Sequence, residues 1–294
     1  MKAKSRSSNW IHQSVFVGPA VVFFALIVVA PFLLSIYYSF TEWNGVTSNM
    51  KWIGIDNFKR IIVADEDFHK SFWFTVRFSV TNVLLANIVG FSLALLLTQK
   101  LKSRNILRTV FFLPNVIGGL LLGFIWQFIF VKGFTTIGEL TNLAFFKLPW
   151  LGDAPTAFWG LVIVSVWQTA GYLMVIYIAA LANVPKDITE AATIDGATRI
   201  QVLRHITVPL IMPAVTVCLF LTISWAFKMY DLNVSLTQGG PFNSTQSVAL
   251  NIYEEAFRNN RYGLGTAKSL VFFIVVAVIT SIQVWVTKKK EVEV

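Results

Sequence analysis

The sequence predicts an all-α membrane protein with six transmembrane helices and both termini in the cytoplasm. Three observations carry that prediction. The 294-residue chain is 55% hydrophobic and only 13% charged, against roughly one-quarter charged in soluble globular domains. Six predominantly apolar stretches contain no Asp, Glu, Lys, Arg or His, and each reaches the roughly 18–20 residues that a helix needs to cross a hydrocarbon core about 30 Å thick. Basic residues are also unevenly shared among the segments between those stretches, as expected when cytoplasmic loops retain them.

The first stretch, 13–41, follows a basic tail, 1–12. Such a start also suits a secretory signal, but the apolar run is long and no small-x-small site precedes a plausible cut. Ala30 is followed by Pro31, and the segment is read as an uncleaved span. After it, Asp56–Ile62 is expected to form a short outer helix whose apolar side, Phe58, Ile61 and Ile62, lies on the membrane. The remaining spans are 78–99, 109–131, 154–185, 206–227 and 269–287, and a tail, 288–294, closes the single domain, 13–287. Segment 232–253 is equally free of charge, yet only nine of its 22 residues are apolar and it contains Gly239, Gly240 and Pro241. An unpaired backbone is too costly in lipid, so this segment is expected to be an ordered loop outside the bilayer, with helix near Ser247–Phe257.

With the N-terminus inside, segments 1–12, 100–108, 186–205 and 288–294 carry 13 basic residues in 48, against 11 in the 99 residues of the outer segments. The net charge of +9 divides into +8 inside and +1 outside. The basic character therefore reflects topology and does not argue for nucleic-acid binding. No Gly-x-x-x-x-Gly-Lys-Ser/Thr loop occurs, nor any Gly-Lys pair, so the chain is not expected to hydrolyse ATP by that route. His12, His69 and His205 lie in separate segments without metal-ligand spacing. The span interiors hold no ionisable group, unlike those of ion-coupled carriers. Arg77, Lys228 and Lys268 at the span edges are expected to snorkel to the headgroups, with a substrate role as the alternative for any one of them. The sole cysteine, Cys218, is expected to be a small apolar core residue.

The segment between spans four and five, 186–209, reads as two short helices. Asp187 is placed to cap the first, with Glu190 reaching back. Ala191 and Ala192 favour helix, and Gly196 closes it in a left-handed conformation, where an added aspartate side chain is expected to clash. Thr198 and Gln201 offer a second capping box. Ile200, Leu203 and Ile206 form an apolar edge. Val208, preceding Pro209, is expected to leave helical geometry, and Pro213 to kink the span further.

The pattern Glu190-Ala191-Ala192, Gly196, Ile206-x-x-Pro209 resembles the EAA loop of permease subunits in binding-protein-dependent ABC importers, with Val208 in place of the usual Leu. Gly18-Pro19, Ser35–Thr41, Gly54–Phe58, Thr237–Thr245, Tyr262-Gly263 and Ala267 are similar, in order and spacing, to carbohydrate permeases of the maltose and glycerol-phosphate type. The resemblance implies a maltose-permease-like fold, a second homologous permease, two ABC ATPase subunits and an extracytoplasmic solute-binding protein. It implies no cofactor in this chain, with ATP and Mg on the ATPases, and a bacterial or archaeal cytoplasmic membrane. It also implies that the helix at Glu190–Gly196, with Asp195, seats in an ATPase cleft. Gly196 then permits the turn, Glu190 holds the loop or a basic partner, and Ala191 and Ala192 allow close approach.

Where the sugar passes is not carried by a shared motif. Periodicity nominates Trp167, Gln168, Thr169 and Tyr172 in span four, Asn82 and Asn87 in span two, and Ser224 and Trp225 in span five. Each has an alternative reading as interhelical packing or hydrogen bonding, and the other aromatics, including Trp10 and Trp159, read as interface anchors or core. A self-contained secondary transporter or channel, a membrane-embedded enzyme or scaffold, and an ABC permease for another small polar solute are the alternative functions.

Overall fold

The computed structural model describes residues 15–99 and 101–291. The tail 1–12, including Trp10 and His12, and residues 292–294 lie outside the described residues. The chain divides into two compact units: residues up to Asp65 with Ile252–Phe273, and Glu66–Asn251 with the chain from Ile274 onward.

The first unit opens with α1 (Val15–Ser39), whose most apolar window has no residue buried within the protein. A two-stranded antiparallel ribbon follows, β1 (Thr41–Glu42) and β2 (Lys51–Trp52), then α2 (Asp56–Val63). The ribbon is the one departure from an all-α chain among the described residues. Asn57 ties these pieces together: its Nδ2 donates to the Ser39 and Thr41 carbonyls at 2.9 and 3.0 Å, satisfying an acceptor that the end of α1 leaves open and one at the start of β1. Asn57 and Ile61, one turn apart, are the buried residues of α2. Ile61 therefore faces the unit's interior and not the membrane as expected; Phe58 packs on Phe40, and Ile62 is exposed.

Lys268 also departs from expectation. It does not snorkel: it is fully buried between Asp65 (2.9 Å) and Glu255 (2.7 Å), and Arg261 meets the other Glu255 oxygen at 3.3 Å. An ammonium removed from water is retained only when paired, and two carboxylates supply that pairing here.

In the second unit α3 (Glu66–Leu97) begins twelve residues before the charge-free stretch 78–99. α4 (Arg104–Val116) and α5 (Gly119–Thr141) divide the predicted span 109–131, so that span is not one helix. Ile117 and Gly118 are extended between them. Pro114 and the Gly118-Gly119 pair supply the reason, since proline removes a helical donor and glycine weakens helix. α6 (Ala154–Ala182) starts with Pro155 in its first turn, where no amide donor is needed.

Short helices α7 (Lys186–Ile194) and α8 (Arg199–Leu210) precede α9 (Met212–Phe227). Then come α10 (Asp231–Leu236), α11 (Val248–Tyr253) and α12 (Tyr262–Lys288). Helix α11 falls in the region expected to be helical and the π-turn Glu254–Arg258 runs one residue past it, whereas α10 lies outside that region.

The second unit's core runs between α3, α5 and α6 through Phe78, Leu122, Leu161 and Val164, and between α3, α6 and α9 through Ala86, Leu173, Met174 and the buried Cys218. Small residues set the helix spacing. A methyl on Gly171 would lie 1.8 Å from the Phe111 carbonyl oxygen, so α4 and α6 meet at backbone distance. A methyl on Gly123 would fall equally close to Ser235 Oγ, which lets α10 lie against α5.

Candidate functional site

Two regions of the second unit collect the residues singled out by sequence. The first is the turn joining α7 and α8. Pro185, not Asp187, occupies the cap of α7, and no side chain closes it. Helix geometry already begins at Lys186, which puts Asp187 inside the first turn, where its charge favours the helix dipole without capping. The expected Asp187–Glu190 box is therefore absent, and Glu190 is exposed.

At the other end the geometry follows the sequence. Gly196 takes φ +84°. Its amide donates to the Thr193 carbonyl, and the Ala197 amide to that of Ala192, at 3.1 and 2.9 Å, the paired bonds of a Schellman closure. The expected steric clash at Gly196 is not found: an added Cβ meets nothing within 4 Å. Its positive φ is what demands glycine. Thr198 and Gln201 form the reciprocal capping box that opens α8.

Val208 remains helical, with φ −63° and ψ −45°, contrary to expectation. The preceding turn, Leu203–Thr207, is widened to a π-helix, which accommodates the missing Pro209 amide. The bend comes instead at Ile211, where α8 and α9 meet at 72°. Pro213 opens α9 and does not kink it. Asp195, Gly196 and Ile206 line one shallow hollow of about 390 Å³, and Glu190 another of about 300 Å³ with Arg199. Ala191, Ala192 and Pro209 line neither. Ile194 and Ile200 are 86% and 76% exposed. The expected apolar edge is therefore only partly covered, leaving bare isoleucines on the turn.

The second region is a cavity of about 380 Å³ that brings Gln168, Thr169 and Trp225 together. Gln168 Nε2 donates to the Ile117 carbonyl at 3.0 Å, so the amide also satisfies an acceptor exposed by the α4–α5 break. Thr169 donates to the Ser165 carbonyl at 2.8 Å. Tyr172 stands behind the wall, edge-on to Trp225 at 5.4 Å. Trp167 meets Trp126 edge-on, and Ser224 is partly buried on α9.

Asn87 lies apart from the cavity and joins three helices: its Nδ2 donates to Thr222 Oγ1 at 3.1 Å, and Tyr177 donates to its Oδ1 at 2.7 Å. Asn82 is buried without joining the lining. Its Oδ1 has no hydrogen-bond partner among the described residues. Sequence reasoning missed Asn115, Ser165, Lys228, Tyr230 and Asp231, which do line the cavity. Lys228 was assigned to the headgroups because charge served only as a span terminator.

The segment resembling a carbohydrate permease's outer loop, Thr237–Thr245, closes around Asn233. Asn233 Nδ2 donates to the Thr245 carbonyl and Thr237 Oγ1 at 2.8 and 3.0 Å, and its Oδ1 accepts from the Ser247 amide. Ser71 of α3 donates to Gln246 Oε1, and the Val248 amide to Thr75 Oγ1. Buried and mutually satisfied, these bonds hold the loop and α10 beside the cavity wall.

Residues 86–292 match the family described as binding-protein-dependent transport system inner membrane component. The probable starch degradation products transport system permease protein AmyD of Thermoanaerobacterium thermosulfurigenes is 47% identical over 97% of both chains. The multiple sugar-binding transport system permease protein MsmF of Streptococcus mutans is 32% identical over 99% of both. Among solved structures, a bacterial ABC transporter involved in import of the acidic polysaccharide alginate superposes with a TM-score of 0.82. It shares 20% identity over 97% of this chain and 98% of its own, a likeness of fold.

Proposed function

We propose, from the premise that the chain belongs to the family of binding-protein-dependent transport system inner membrane components, that it forms half of the translocation pathway of a carbohydrate importer. It is a multi-pass transport subunit and not an enzyme. The observation that carries the sugar assignment is the 47% identity, over nearly the full length of both chains, to a permease named for starch degradation products. The cavity at Gln168, Thr169 and Trp225 supports it. Amide and hydroxyl groups beside an aromatic face suit hydrogen bonding and stacking with a polyhydroxylated ring.

Energy enters through the α7–α8 turn. Two ATPase subunits carry ATP and Mg, and the bare Ile194 and Ile200 are covered when the turn seats against one of them. Glu190 holds a basic partner or the loop itself. Ala191 and Ala192 allow close approach. Asp195, Ile206 and Pro209 fix the loop leading to the bend at Ile211. Closure of the nucleotide-bound ATPases then moves α9 through that bend, an effect that requires different contacts in the two states. A second homologous permease completes the pathway, and a solute-binding protein delivers sugar from outside a bacterial or archaeal cytoplasmic membrane.

The test is purification of the tagged chain from its native membrane in mild detergent, followed by mass spectrometry. Recovery of a phosphate-loop ATPase and a second EAA-bearing permease is the expected result. A solitary chain that still transports would overturn the reading in favour of a secondary carrier.

A further inference from the structure

A larger concavity of the second unit, about 640 Å³, is an open groove between α3 and α6. Phe74, Val80, Phe158 and Trp159 supply an apolar wall, and Arg77 is the one charged residue on the lining. Its guanidinium is exposed and, among the described residues, has no ion pair or side-chain hydrogen bond; neighbouring Thr81 donates to its backbone carbonyl. Ser244 Oγ is buried on the same lining and has no hydrogen-bond partner among the described residues.

The position of this cation is informative. Arg77 is the last charged residue of α3 before its charge-free stretch, and Ala154 and Pro155 begin that of α6. The groove thus has a cationic, hydrogen-bonding end at the polar boundary and an aromatic wall continuing into the apolar depth. A purely apolar occupant leaves the guanidinium and the Ser244 hydroxyl unused, and a soluble anion leaves the wall unused. No acid on the lining answers the ammonium of a zwitterionic headgroup.

We propose that this groove is a binding site for an anionic phospholipid, its phosphate on Arg77, joined by Ser244 once that hydroxyl, closed to solvent here, rotates into the groove, and an acyl chain along Val80, Phe158 and Trp159. A planar guanidinium matches phosphate geometry, and Trp159, 47% exposed, provides the interfacial ring.

The test places the chain, in the assembly in which it purifies, into bilayers containing phosphatidylglycerol or phosphatidylcholine brominated on the acyl chain. The readout is the tryptophan emission lost in a Trp159→Phe variant. Brominated phosphatidylglycerol is expected to quench this component at a lower mole fraction than phosphatidylcholine. Arg77→Gln should raise the required fraction roughly five- to tenfold, the scale of one interfacial cation or charge-assisted contact, and Arg77→Lys should retain the preference only in part, keeping the charge without the planar fork. Equal quenching by both lipids, unchanged in Arg77→Gln, would reduce the groove to ordinary lipid contact. Absence of quenching, with crosslinking from position 159 to a second permease, would make it a subunit interface. Neither readout requires transport, so the lipid site and the importer reading can fail separately.

Discussion

Gly196 shows how a position can favour glycine without being crowded. Its Cβ would enter open space, but its φ of +84° lies where a β-branched side chain is strongly disfavoured. Asparagine tolerates that region through its short polar side chain. Gly196→Asn should therefore retain most uptake, whereas Gly196→Val should abolish it while the chain still inserts. Uptake assays normalised to membrane-inserted protein check the pair, and equal loss in both would return the explanation to sterics. Lys268 makes the converse case. Removing its ammonium in Lys268→Met leaves Asp65 and Glu255 facing each other, a change expected to cost about 3–5 kcal/mol. A lower thermal midpoint in detergent, largely restored when Asp65→Asn and Glu255→Gln are added, is the expected result. The family-like segments of the first unit were legible for the same local reasons: Asn57 ties the end of Ser35–Thr41 to Gly54–Phe58, and the Gly263 amide donates to Trp43. Lys228 and Asp231 were not legible as cavity residues, because a charge near a span edge reads the same whether it meets headgroups or a polar hollow.

At the scale of elements, freedom from charge located the apolar bodies of the helices and misplaced several of their ends. Helix α3 continues twelve residues into a charged segment, where Ser71 and Thr75 bind Gln246 and the first amide of α11. The break at Ile117–Gly118 was invisible to a rule that counts charges, although Pro114, Gly118 and Gly119 carried the signal. The α8–α9 bend was anticipated near Pro209 and falls at Ile211, since a π-turn absorbs the proline. Just beyond it, Thr216 Oγ1 shares its one proton between the Met212 carbonyl at 3.0 Å and Glu291 Oε1 at 2.8 Å, and Gln283 Nε2 donates to the Thr216 carbonyl. The first turn of α9 is thereby tied to the chain end that follows α12. Thr216→Val should lower stability by about 1.5–3 kcal/mol, the range for a hydrogen bond to a charged group, and Glu291→Gln by less because an acceptor remains. Thermal midpoints of the two variants, measured side by side, decide this; an unchanged Thr216→Val midpoint would show that the tie contributes nothing.

At the scale of the whole molecule, transport by the proposed route requires the α7–α8 turn and the segment after α5 to occupy opposite sides of the membrane. The uneven distribution of Lys and Arg predicts a cytoplasmic turn, and of the long apolar helices only α6 lies between the two segments in the chain. Cys218 is the sole cysteine and is fully buried, so a Cys218→Ala background admits single reporters at exposed positions. Leu143, in the segment after α5, and Ile194 are 55% and 86% exposed, so the described chain covers neither. In intact cells Leu143→Cys should react with a membrane-impermeant thiol reagent and Ile194→Cys should not; after permeabilisation and release of the bound ATPases both should react. The opposite pattern would invert the orientation and place the turn away from ATP. Reaction of both in intact cells would remove the basis for coupling through this turn, whatever the cavity at Gln168 and Trp225 binds, because a soluble ATPase in the cytoplasm could not reach it.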